Sequence, residues 1–89
     1  MEREVSLEGR SGSTRTFDLL VKKGDEVYPV FVKNWKRTAG INVVIAADRA
    51  ASDVGLLPPI VISNKFSEHA KAYASRRRIQ LLTRRDLTL

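Results

Sequence analysis

The apolar residues of this chain first alternate, then recur at helical spacing, then run unbroken. Val5 and Leu7 alternate with polar neighbours and precede Gly9-Arg10-Ser11-Gly12-Ser13, which predicts a short strand and a flexible turn. Residues 16–21 form a second β-type run, ended by Lys22-Lys23-Gly24-Asp25-Glu26. Residues 27–33 resume it, so the two segments read as a hairpin with a glycine-containing loop. Pro29 has no N–H and is expected where no ladder hydrogen bond is donated.

Beyond residues 35–40 the period changes. Ile41, Val44, Ile45, Ala47, Asp48 and Ala51 recur at helical spacing, with Gly55 as a stop beyond Val54. This predicts a helix of about 13 residues. Leu57-Pro58-Pro59 breaks the chain, and Ile60-Val61-Ile62 is the short apolar run of a strand buried on both faces of a parallel sheet. Ser67 can cap a further helix with Glu68 in its first turn and Ala70, Tyr73 and Ala74 inward. Ile79-Gln80-Leu81-Leu82 then supplies a last strand. A β-α-β unit needs parallel strands, whereas the first half offers antiparallel pairing. The expected fold is therefore α/β: a mixed sheet, an antiparallel hairpin followed by a β-α-β unit, flanked by two helices. With 89 residues and no internal repeat, residues 1–89 are expected to form a single domain.

Composition narrows the partners. The absence of cysteine rules out disulfides and thiolate metal sites, and a lone His69 is a poor basis for structural zinc. No apolar run approaches the roughly 20 residues that span a bilayer, and residues 1–4 lack the plan of a secretory leader. The cytoplasm is the expected compartment, without membrane attachment. The net charge is +6, and it is regional. Between Ser63 and Arg85, Lys65, Lys71, Arg76, Arg77, Arg78, Arg84 and Arg85 stand against the single acid Glu68, whereas the N-terminal third is nearly balanced. A positive field of this kind attracts phosphates and releases their counterions, so nucleic acid, DNA first, is the expected partner. Solubility is the plain alternative. Lys71, Arg76, Arg77, Arg78, Arg84 and Arg85 are the candidate phosphate contacts, joined by Lys36 and Arg37 beside Trp35, whose indole can stack on a base or pack in the core. Arg76 to Arg78 at a helix end also complement the helix dipole, which is a complete structural explanation.

The order of the pieces carries a resemblance. Gly9-Arg10-Ser11-Gly12 with Phe17-Asp18-Leu19-Leu20, then Phe31-Val32-Lys33-Asn34-Trp35, then Pro59-Ile60-Val61-Ile62-Ser63 and Phe66-Ser67-Glu68-His69-Ala70-Lys71-Ala72-Tyr73-Ala74, resemble the Mrr-type restriction endonucleases of the PD-(D/E)XK nuclease superfamily. Archaeal Holliday-junction resolvases are more distant likenesses. The resemblance covers about residues 9–87 and implies a restriction-endonuclease-like fold. It also implies two carboxylates that hold Mg²⁺ and a lysine that orients water or offsets negative charge. On it, Asp18 matches the first carboxylate and metal ligand, and Lys33 matches the lysine. Phe31 stands where the family has a carboxylate or glutamine, and it cannot ligate a cation. Glu8 and Asp48 are the acids that would have to substitute. The family's leading helix with its glutamate also has no counterpart before the first strand.

Three functions follow from this reading. The first is nucleic-acid binding by a nuclease-like domain with an impaired catalytic motif. The second is a working Mg²⁺-dependent DNA endonuclease, in which Asp18 and another acid hold the metal and Lys33 assists the water. The third is an interaction or dimerisation module, and a homodimer is plausible for so small a core. Read without the resemblance, Asp18 is an aspartate satisfied by nearby N–H groups and Lys33 a solvated cation at a strand end.

Overall fold

The computed structural model describes residues 2–33, 37–56, 58–83 and 86. Its elements are β1 (Glu2–Glu8), β2 (Thr14–Lys23), β3 (Glu26–Val32), β4 (Thr38–Ala39), α1 (Ile41–Asp53), β5 (Ile60–Ile62), β6 (Lys65–Phe66), α2 (Glu68–Arg77) and β7 (Gln80–Leu82). Five strands form one sheet in the order β1-β2-β3-β5-β7. β1, β2 and β3 are antiparallel neighbours, and β3, β5 and β7 are parallel. The expected mixed α/β sheet with two helices is the observed one.

Local chemistry accounts for the boundaries. Gly24 closes the β2–β3 hairpin at φ 62°, a left-handed conformation that glycine adopts without steric cost. Pro29 lies one residue before the first β3–β5 pair, Val30↔Ile60, so β3 is paired on both sides only after its proline. α1 stops at Asp53, with Gly55 just beyond it at φ 72°. The Ser67 hydroxyl accepts the Ala70 N–H at 3.1 Å and caps α2. At the other end Arg78 takes the left-handed cap, φ 58°, where glycine is the usual occupant. No described helix is long and apolar enough to cross a membrane.

The core lies between one sheet face and the two helices. Cross-strand partners share a face, so Leu20 with Pro29, and Phe31 with Val61 and Leu81, point the same way. Against them lie Val44, Ala47 and Ala50 of α1 and Ala70 and Ala74 of α2. The helices thus meet the sheet, and each other, through small side chains. Val30 is also buried although it points to the opposite face, so β3 runs as a buried central strand.

The pleat changes phase at Asp18. In a regular strand Phe17 and Leu19 would share a face. Here Phe17 belongs to the helix-facing core, its ring centroid 5.2 Å from that of Phe31 and tilted by 60°, while Leu19 pairs with Val30 on the other face. β1 follows in step: Val5 pairs with Phe17 and packs on the core, Arg3 pairs with Leu19, and Glu4 between them sits at φ 49°. A left-handed non-glycine residue costs about 1–2 kcal/mol, which the buried Phe17 offsets.

Candidate functional site

Asp18, Phe31 and Lys33 come together at the end of β3. The β2–β3 pairing stops at Leu19↔Val30, and beyond it the Asp18 carboxylate does the work of a ladder partner: its Oδ2 accepts the Val32 N–H at 2.9 Å. Lys33 prolongs the other side, donating its N–H to the Ile62 carbonyl at 2.8 Å. Its Nζ stands 5.4 Å from the Phe31 ring centroid, within cation–π range. Both charged side chains are exposed, and the ring between them is only 8% exposed. Asp18 and Lys33 therefore flank one backbone unit at the end of β3.

The third position is closed. Phe31 is locked in the core against Phe17 and supplies no oxygen where a divalent cation needs several. Asp18 has one oxygen committed to a backbone N–H. Among the described residues no group of three His, Cys, Asp or Glu side chains is placed to hold a metal. This donor set does not fit a Mg²⁺ centre. The two substitute acids do not repair it. Glu8 pairs with Thr14, four residues along β2 from Asp18 and so about 13 Å away at 3.3 Å per residue. Asp48 is engaged elsewhere, its Oδ2 accepting the Tyr73 hydroxyl at 2.8 Å and the Arg77 Nε–H at 3.1 Å.

The sequence from residue 2 to residue 88 matches the Mrr_cat restriction endonuclease family. The chain belongs to that family. Among solved structures it is similar to the crystal structure of an archaeal protein of unknown function, AF1548, at 24% identity with a TM-score of 0.80. That likeness covers 90% of this chain and 46% of the other, so the chain spans under half of that protein's length. No curated protein matches it. The restriction-endonuclease-like fold is thus shared with a solved structure, and the nuclease character rests on the family.

The basic residues of this Mrr-type domain divide by what holds them. Lys71 pairs with Glu68 at 3.0 Å, an exposed i,i+3 bridge worth little. Arg77 turns inward to Asp48. Arg76, Arg78 and Arg37 are exposed, and His69 is an exposed residue of α2. Lys36, Arg84, Arg85 and Trp35 lie outside the described residues. The helix that carries Arg76 and Arg77 ends in a left-handed Arg78, so the run bends away from one face instead of forming a straight ladder.

Sequence reasoning missed a second set of residues around Asp53, the last residue of α1. Its Oδ1 accepts the Ser11 N–H at 2.9 Å, and its Oδ2 accepts the Ser11 hydroxyl at 2.8 Å and the Arg15 Nε–H at 3.0 Å. The Arg10 N–H reaches the Asp53 carbonyl at 2.8 Å. These bonds tie the β1–β2 turn to the helix end. The Ser11 hydroxyl above all, then Arg15 and the Ser11 N–H, pull the Asp53 carboxyl down to about 2. Gly9 leaves room for this carboxylate: a Cβ there would fall 1.9 Å from Oδ2 and force the Asp53 side chain to move. Gly9-Arg10-Ser11-Gly12 is therefore a docking turn as much as a flexible one. Acids and arginines from β2, α1 and α2 line an open cleft of about 420 Å³ alongside.

Proposed function

We propose that this domain binds DNA with a nuclease fold whose metal centre is impaired. The observation that carries the reading is Phe31: at the position of the family's second carboxylate stands a ring packed on Phe17 at 5.2 Å. A side chain committed to the core cannot swing out to ligate, and it contributes no oxygen if it does. Beside the Asp18 carboxylate the edge carries the exposed Lys33 ammonium, which suits a phosphodiester as a point charge. The net charge of +6 supports the same partner through counterion release.

Labelled duplex and branched DNA, titrated with the purified chain at low salt with Mg²⁺ or Mn²⁺, test this in one experiment that reads both mobility and strand length. The expected result is a salt-dependent shift with strands intact. Strand cleavage that disappears in Lys33→Ala would overturn it in favour of an active endonuclease whose second acid lies outside this edge. Neither shift nor cleavage would favour an interaction module in which the charge serves solubility.

A further inference from the structure

We infer that the cleft between the start of β2, the outer turns of α1 and the end of α2 is a phosphate-binding site, built on Arg15, Arg49 and Arg77. It deepens the DNA-binding reading by naming a backbone contact away from the Asp18–Lys33 edge, and its phosphate chemistry could also be met by a free phosphate.

The charges of the cleft are layered. Asp53 and Asp48 lie at the bottom, their side chains 11% and 13% exposed, and their arginine partners Arg15 and Arg77 stand above them at 36% and 57%. A ligand that enters the cleft meets guanidinium before carboxylate. Each pair is made through the arginine Nε, at 3.0 and 3.1 Å. The anion thus fixes the guanidinium through its Nε edge, and the Nη groups are not used in either pair. A fixed fork of this kind suits bidentate contact with phosphate oxygens, and little side-chain entropy remains to be lost on binding.

Arg49 decides between a structural and a binding role. It follows Asp48 on α1, is exposed, lines the same cleft, and makes no ion pair with any described residue. Two arginines neutralised by two aspartates would complete a structural clip, and the third leaves the cleft with a net positive charge. Tyr73 adds a hydroxyl whose own proton is donated to Asp48, which raises its pKa, while the fields of Arg77 and Arg49 act on it in the opposite sense. The Ser52 hydroxyl completes the polar lining. Arginines from three elements, two of them held by largely covered acids, make a positive site whose geometry the fold has already set.

The test follows the arginine Nε–H resonances of the full chain by NMR, during titration with inorganic phosphate and separately with a short duplex. Arg49→Ala and Lys33→Ala accompany the wild type. The Arg15, Arg49 and Arg77 signals are expected to move with both ligands. Arg49→Ala should keep the denaturant midpoint, lose most of the phosphate response, and lower the salt slope of duplex binding by about 1. Lys33→Ala should leave the inorganic phosphate response unchanged. Movement with phosphate in a chain that does not bind duplex would retain the site, assign it a free phosphate, and refute the DNA reading alone. Duplex binding with silent arginine signals, or with a salt slope unchanged in Arg49→Ala, would overturn the site and leave the DNA reading intact.

Discussion

Asp18 and Asp53 are both aspartates near the N-terminal strands, yet they sit in opposite chemical situations. Asp18 is exposed and accepts one backbone N–H; Asp53 lies at the end of a helix, 11% exposed in its side chain, and accepts two donors from the β1–β2 turn and one from β2, some forty residues earlier in the chain. The aspartate that the resemblance singled out is the lightly held one. The aspartate outside any motif has its ionised form strongly preferred. A carboxylate's role is set by the donors and burial that the fold brings to it, and only then by the motif in which it stands. At the Asp18 edge the neighbours are a buried ring and a lysine, so the edge is part core and part cation. At Asp53 they are N–H and O–H groups, so the carboxylate is a joint.

The strongest challenge to this contrast is removal of Phe31. If the ring is core first, Phe31→Ala should cost about 3–5 kcal/mol of stability, seen as a lower denaturant midpoint, although the motif position suggests chemistry. Lys33→Ala, two residues on and exposed, should leave that midpoint where it is. Equal, small effects from the two would mean that Phe31 is not anchored and that the edge can rearrange to admit a ligand.

A smaller effect sharpens the other side. The Asp53 carboxyl is held at about 2 against an ordinary 3.8. Its folded-state pKa is depressed, so its contribution is fully present above 3.8 and is lost as pH falls through about 2. Acid unfolding should therefore show a loss of stability in that window which is absent from Asp53→Asn. Gly9→Ala should remove the same contribution at neutral pH by forcing Asp53 off the turn. The double variant should be no less stable than the worse of the two single ones, because both break one joint. Additive losses would show that Gly9 acts through some other contact.

Much of this fold was legible because it is local. The β-type runs of residues 16–21 and 27–33, the helical spacing from Ile41, the Ser67 cap and the Ile60-Val61-Ile62 run each state their structure within a few residues, and the elements lie within a residue or two of those limits, apart from β1 and β2, which run longer. The β4–β6 pair, Thr38↔Lys65 and Ala39↔Phe66, was not legible, since two-residue strands carry no period and pair across the whole of α1. Nor was the phase change at Asp18. A strand read from one sequence is taken to alternate, and only the Phe17–Phe31 contact reveals that it does not. At the site, the resemblance singled out Asp18 and Lys33, and the fold sets the two at the end of β3. Arg15, Arg49 and Asp53 were invisible because their meaning lies in contacts between distant segments. The one faint signal for them was the glycine of Gly9-Arg10-Ser11-Gly12, whose missing Cβ makes room for Asp53.

The smallest expected effect separates a relic from a working edge. The Asp18 bond to Val32 is exposed, so water can replace it, and Asp18→Asn keeps a carbonyl oxygen for the same N–H. The substitution should change stability by no more than about 0.5–1.5 kcal/mol. It also removes a negative charge beside Lys33, where a phosphate is expected to lie. In a domain that only binds, Asp18→Asn should then tighten duplex binding and leave its sequence tolerance unaltered, as mobility shifts at several salt concentrations would show. If the carboxylate instead holds a cation that bridges to phosphate, the same variant should weaken binding in Mg²⁺ and have no such effect in a chelator. The sign of one conservative substitution thus reports whether the aspartate at this edge repels the ligand or recruits it.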